Sequence, residues 1–207
     1  MATPTQLLFL PGASGMVDFW QPVAERLVHR PTAMHHLGWP GIGATPAAAG
    51  VRTLSDLVDR VLARIDQPTA LVAQSMGAVV ALRAAMTRPV HLTHLVLAGL
   101  SGGVDLRRFG ATDWRPPSEQ IDPDDPTHLF AAYCEDLSAH LHLVESPALL
   151  LCGDADPLSP PPANQWVASS LRRARCEVIK GGGHTFARTH AAEVAASIDA
   201  HLANRLD

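Results

Sequence analysis

Six short runs of mostly apolar residues punctuate this chain, at positions 6–10, 33–37, 69–74, 92–97, 147–152 and 176–180. The first is stopped at once by Pro11-Gly12 and the second by Gly38-Trp39-Pro40-Gly41. Runs this short and this continuous suit strands that are covered on both faces of a sheet. The segments between them carry a different period. Leu54, Leu57, Val58, Val61, Leu62 and Ile65 form one apolar stripe of a helix whose Asp56, Asp59, Arg60 and Arg64 face water. Val194, Ala195, Ile198 and Leu202 repeat that signal near the end, and 79–86 is apolar or small on nearly every side, as in a buried helix. A parallel return needs a crossover long enough to hold a helix, so alternating strands and helices imply a parallel sheet with helices on both faces. The fold class is therefore α/β, and 207 residues suit a single domain spanning 1–207.

One interval breaks the rhythm. Positions from about 104 to 145 contain no clear strand and are rich in proline, which reads as a short cap inserted over the sheet. Its charge is lopsided, with seven acidic residues against Arg115 alone across 111–139. The whole chain has 16 Lys and Arg against 20 Asp and Glu, a net charge of −4 that offers no basic footprint for nucleic acid. No apolar stretch approaches the roughly 20 residues of a membrane span. The opening residues Met1-Ala2-Thr3-Pro4-Thr5 lack a secretory signal's basic and apolar regions, so a cytoplasmic location is expected. Cys134, Cys152 and Cys176 are too scattered for a disulfide framework and read as reduced thiols, mostly buried.

The chemistry starts where Leu71-Val72-Ala73-Gln74-Ser75-Met76-Gly77 passes from an apolar strand into the buried helix. A serine on a sharp strand-to-helix turn presents its hydroxyl above the sheet, and flanking bulk would clash, which explains the small residues two positions to either side. A nucleophilic serine needs a base and a third group to orient that base. Among eleven histidines, His184 follows the last strand through Gly181-Gly182-Gly183, a loop free enough to bring an imidazole over the strand ends. Asp154 and Asp156, in Gly153-Asp154-Ala155-Asp156-Pro157, both lie beyond another strand's end, with Asp105 a more distant candidate. Physical reasoning alone does not separate Asp154 from Asp156. The pairs His35-His36, His91 with His94, and His140 with His142 lack a complete metal-ligand set and read as surface histidines; no metal is expected.

Four motifs in order, Leu10-Pro11-Gly12-Ala13, Gly38-Trp39-Pro40-Gly41-Ile42-Gly43, Ala73-Gln74-Ser75-Met76-Gly77, and Gly153-Asp154-Ala155-Asp156-Pro157 with Gly183-His184, make the chain resemble an α/β-hydrolase of the small esterase, thioesterase and haloperoxidase-like branch. The resemblance covers nearly the whole chain and implies about six strands of that fold, without its first hairpin. It favours Asp156 as the acid and implies that the N–H groups of Ala13 and Met76 form an oxyanion hole. Ala73 and Ala78 stand where the family often has glycine; both are small enough for the turn.

These residues imply a serine hydrolase that cleaves a carboxylic ester or thioester through an acyl-enzyme, with Ser75, Asp156 and His184 as its catalytic residues and no cofactor. The rival expectations are other chemistry on the same residues (carbon–carbon hydrolysis, a lyase step, acyl transfer or cofactor-free perhydrolysis) and a non-catalytic protein that binds a small ligand. The expected partner is a small-molecule acyl substrate. Phe109, Trp114, Phe130 and Tyr133 in the cap are candidates to line its pocket, or else to dock the cap on the sheet. The cap's acidity would disfavour strongly anionic substrates if it borders the mouth.

Overall fold

The computed structural model describes residues 2–203; Met1 and positions 204–207 of the expected 1–207 span lie outside it. Its strands are β1 (Gln6–Leu10), β2 (Ala33–His36), β3 (Thr69–Gln74), β4 (Leu92–Ala98), β5 (Ala148–Gly153) and β6 (Ala174–Ile179). Its helices are α1 (Gln21–Ala24), α2 (Leu54–Leu62), α3 (Met76–Met86), α4 (His128–Ala131), α5 (Pro161–Ser170), α6 (Phe186–Thr189) and α7 (Ala191–Ala203). The six strands pair in the order β2-β1-β3-β4-β5-β6, all parallel. Each of the six apolar runs is a strand, with ends shifted by one or two residues at β2, β4, β5 and β6.

Alternation within the strands builds two cores. Leu8, Leu10, Leu71, Ala73, Leu95, Leu97 and Leu150 point to one face, where α2, α3 and α5 cover them. Leu7, Phe9, Ala70, Val72, Val96, Leu149 and Leu151 point to the other, beneath α1, α6 and α7. The helix α2 starts at a reciprocal cap in which the Thr53 hydroxyl accepts from the Asp56 N–H and the Asp56 carboxylate accepts from the Thr53 N–H. Almost every residue of α3 is buried, as its uniformly apolar sequence requires.

The segment between β4 and β5 carries three 3₁₀ turns (Leu106–Phe109, Ser118–Gln120, Ser138–Leu143) and α4. Val104, Leu106, Leu129, Phe130, Leu137 and Leu141 join the core on the α3 face. Most of the cap's apolar side chains are thus spent docking it on the sheet.

Two expectations need correction. His94 is buried rather than superficial, its ring 5.2 Å from that of His201 in an edge-to-face arrangement. Cys134 is exposed, while the Sγ atoms of Cys152 and Cys176 lie 3.8 Å apart between β5 and β6 as free thiols.

Candidate active site

All the chemistry collects at the carboxyl ends of the parallel strands, where the loops leaving β1, β3, β5 and β6 converge. Ser75 occupies the joint between β3 and α3 with φ 54° and ψ −123°, a conformation that L residues rarely adopt. Such backbone strain is tolerated when the surroundings over-determine it, and it concentrates at functional sites. Here the Ser75 N–H donates to the Ala98 carbonyl (2.9 Å), so the turn is tied to β4.

Gly77 permits the turn to press against the end of β1. A Cβ on Gly77 would land on the Pro11 carbonyl oxygen, a backbone atom with no freedom to swing aside. Helix propensity alone favours Gly77→Ala by about 1 kcal/mol. The opposite result is expected: the variant melts at a lower temperature, and loses at least about 100-fold in kcat/KM because the serine and the loop after β1 are driven apart. A raised melting temperature would refute this account of the glycine.

The Ser75 Oγ lies 3.0 Å from Nε2 of His184, and Nδ1 of His184 lies 2.8 Å from Oδ2 of Asp156. A carboxylate only accepts, so Nδ1 carries the proton and donates to Asp156, which leaves the Nε2 lone pair to receive the serine hydroxyl. The carboxyl group of Asp156 is fully buried. Its Oδ1 accepts the main-chain N–H groups of Leu158 (2.9 Å) and Ser159 (3.2 Å). Asp154, by contrast, is exposed and accepts the Gly181 N–H (2.6 Å), a contact that shapes the loop leading to His184. The structure therefore brings Ser75, His184 and Asp156 into one hydrogen-bonded chain and leaves Asp154 and Asp105 out of it. Asp105 instead caps the 3₁₀ turn after β4.

The loop after β1 forms the opposite wall. Gly12, Ala13 and Ser14 line the same pocket as Ser75 and His184. Met76 is the first residue of α3, and the geometry of a helix leaves an N–H at that position without an intrahelical acceptor. Two buried tryptophans fix this loop. Trp20 Nε1 donates to the Leu10 carbonyl (2.9 Å) and Trp39 Nε1 to the Gly12 carbonyl (2.8 Å).

The pocket over the serine has a volume of about 300 Å³, at the small end for ligand sites, and its walls are mostly apolar: Met16, Phe19, Trp114 and Leu158. Of the four cap aromatics considered from sequence, only Trp114 lines it, held by a hydrogen bond from Nε1 to the Ser101 carbonyl (3.2 Å). The other three are placed elsewhere, for packing reasons. Phe130 is wholly buried against Trp39, with ring centroids 5.8 Å apart. Phe109 packs on Trp166, with Arg108 over both rings. Tyr133 donates to Glu135 beneath the Arg83 guanidinium, and its hydroxyl pKa is raised, first by burial and then by the Glu135 charge. A larger hollow of about 860 Å³, edged by Gln21, Met34 and His36, lies away from the serine and shares only Ser14 and Met16 with its pocket.

The family model for the alpha/beta hydrolase family matches residues 7–197. The chain belongs to the alpha/beta hydrolase family. Solved structures with the same fold include a hydrolase from Pseudomonas aeruginosa PA01 (TM-score 0.78, 20% identity, 99% of this chain and 92% of that one). Another is the esterase EaEST from Exiguobacterium antarcticum (TM-score 0.77, 16% identity, 99% and 94%). A third is a thermophilic esterase from Thermogutta terrifontis (TM-score 0.75, 20% identity, 96% and 89%). At these identities the likeness is one of fold. No curated protein matches the sequence. No helix among the described residues of this alpha/beta hydrolase is long and apolar enough to cross a membrane.

Sequence reasoning missed two side chains of this alpha/beta hydrolase site. Gln74 is buried beside His184, its Nε2 3.4 Å from the His184 carbonyl and 3.3 Å from the ring Nε2. The carbonyl only accepts, so the amide nitrogen is the end that faces the histidine. Arg188 lines the pocket from α6. His184 precedes the N-cap of α6, so no helical spacing linked the two residues in the sequence.

Proposed function

We propose that this alpha/beta hydrolase is a serine hydrolase that cleaves small carboxylic esters or thioesters through an acyl-enzyme. The observation that carries the reading is the unbroken chain from Ser75 Oγ to His184 (3.0 Å) to Asp156 (2.8 Å) at the floor of a pocket. In this mechanism His184 Nε2 takes the Ser75 proton as Oγ attacks the acyl carbon, and Asp156 holds the ring and stabilises the imidazolium. The developing oxyanion is received by the N–H groups of Ala13 and Met76, donors placed on the loop pinned by Trp20 and Trp39 and on the start of α3. His184 then protonates the leaving group. The acyl-enzyme is hydrolysed by a water that His184 activates in turn. The apolar walls and small volume suit short acyl groups.

The test is covalent labelling with a fluorophosphonate probe together with turnover of 4-nitrophenyl esters graded by acyl length. Wild type is expected to label at one site, Ser75→Ala to stay unlabelled, and rates to fall beyond short acyl chains. Folded wild-type protein that neither labels nor turns over any ester would overturn the reading.

A further inference from the structure

The pocket over Ser75 holds one permanently charged side chain, Arg188, in a wall otherwise mostly apolar. The cap's acidity does not reach this space, since Trp114 is the cap's contribution to the lining, and Asp113 beside it is taken up by Arg115 at 2.9 Å. The one formal charge in the lining is therefore positive, and the carboxylate nearest to it, Asp18, lies outside that lining. Every hydrogen bond and ion pair the structure gives Arg188 runs from Nη1: to Met16 Sδ (3.4 Å), to the Asp18 carbonyl (3.1 Å) and to Asp18 Oδ2 (3.6 Å). The Asp18 carboxylate is engaged end-on by that single nitrogen and is itself largely exposed to water. Among the described residues, Nε and Nη2 are given no such partner, and they form the edge of the guanidinium that pairs bidentately with a carboxylate. A sphere of the pocket's volume is roughly 8 Å across. A molecule whose acyl carbon reaches Ser75 thus brings the rest of itself close to Arg188.

We infer that Arg188 is a specificity-determining residue that binds a carboxylate on the substrate, so that the preferred substrates are small esters or thioesters of dicarboxylic half-acids or similar anionic acyl compounds. This rests on the hydrolase reading above and names the substrate class for it. Nη1 braces the loop of residues 16–18 in position, and the free edge reads the anion.

The experiment compares 4-nitrophenyl hydrogen succinate with its neutral methyl ester, at low and high salt, for wild type, Arg188→Gln and Arg188→Lys. Wild type is expected to prefer the anionic ester, with the preference shrinking at high salt. Arg188→Gln loses the brace on residues 16–18 as well, so the reading is the ratio: its kcat/KM on the anionic ester relative to the neutral one should fall about 10- to 100-fold, mainly through KM on the anionic ester. Arg188→Lys should retain part of the preference, since it keeps the charge but not the fork. On wild type alone, succinate should inhibit neutral-ester turnover more strongly than dimethyl succinate does. Equal losses on both esters would show that Arg188 only braces the loop and would overturn the inference. So would a wild-type enzyme that hydrolyses the neutral ester but shows no anionic preference and no succinate inhibition, while its fluorophosphonate labelling leaves the hydrolase reading standing. If folded wild type neither labels nor cleaves either ester, both readings fall together.

Discussion

Asp156→Asn is expected to reduce kcat by about 10⁴-fold while the protein stays folded. The reason lies in how the carboxylate is held. Oδ1 accepts two main-chain N–H groups, from Leu158 and Ser159, and Oδ2 faces His184 Nδ1. An asparagine here must keep its oxygen toward the two N–H groups, because its NH₂ would meet two donors there. Its NH₂ is then turned toward His184 Nδ1, which must act as acceptor and lose its proton. The ring is forced into the tautomer with the proton on Nε2, so that Nε2 faces Ser75 as a donor and no longer receives the hydroxyl proton. Geometry survives and base catalysis does not. The same change at Asp154 is the control. Asp154→Asn keeps an oxygen for the Gly181 N–H, a contact at an exposed position, and is expected to change kcat by less than about threefold. Burst and steady-state rates on a short nitrophenyl ester, with a circular dichroism spectrum of each variant, check both. If Asp154→Asn is the damaging change and Asp156→Asn the mild one, the assignment of the acid is wrong.

The residues that form this chain were legible because parallel topology does the gathering. Every strand of such a sheet delivers its carboxyl end to one edge, so a serine, an aspartate and a histidine found just after three apolar runs are brought near one another by the sheet itself. Short local patterns therefore carried most of the site. What they did not carry depends on packing between distant segments. Nothing near Trp39 announces that its indole holds Gly12, 27 residues away. Phe130 resembles a pocket residue in composition, yet the hydrophobic gain from its complete burial beside Trp39 places it under the cap. The helix α5 was also invisible. It opens with Pro161-Pro162, which the first helical turn tolerates, and its buried residues are only Ala163, Asn164 and Val167, too few for a clear apolar stripe. Arg188 was masked by the cap's acidity, which suggested a negative mouth until the structure showed the cap docked on the α3 face with Trp114 as its contribution to the lining.

A second large effect is expected from a histidine outside the site. His201 lies on the inner face of α7, only 2% exposed, against His94 of β4. Burial pushes its pKa down from 6.5 to about 3, with the charges of His94 and Arg175 adding to the effect and the main-chain carbonyls of Leu95 and Pro147 opposing it. The folded protein therefore keeps His201 neutral under conditions in which the unfolded chain protonates it. The stabilisation this represents is complete above pH 6.5 and drains away as pH falls from 6.5 toward 3, at about 1.4 kcal/mol per pH unit. Between pH 6.5, where the unfolded imidazole is half protonated, and pH 4.5 the loss amounts to about 2 kcal/mol, or roughly 4–8 °C in melting temperature for a chain of this size. His36, half-buried and stacked 4.6 Å from Phe9, has its pKa lowered by desolvation as well and adds in the same direction. Melting curves of wild type and His201→Leu across this range provide the measurement. The variant starts from a different melting temperature because its ring contacts are gone, so the informative quantity is the fall between the two pH values, which should be smaller in the variant by several degrees. Parallel curves for the two proteins would mean that acid acts on this fold through other groups.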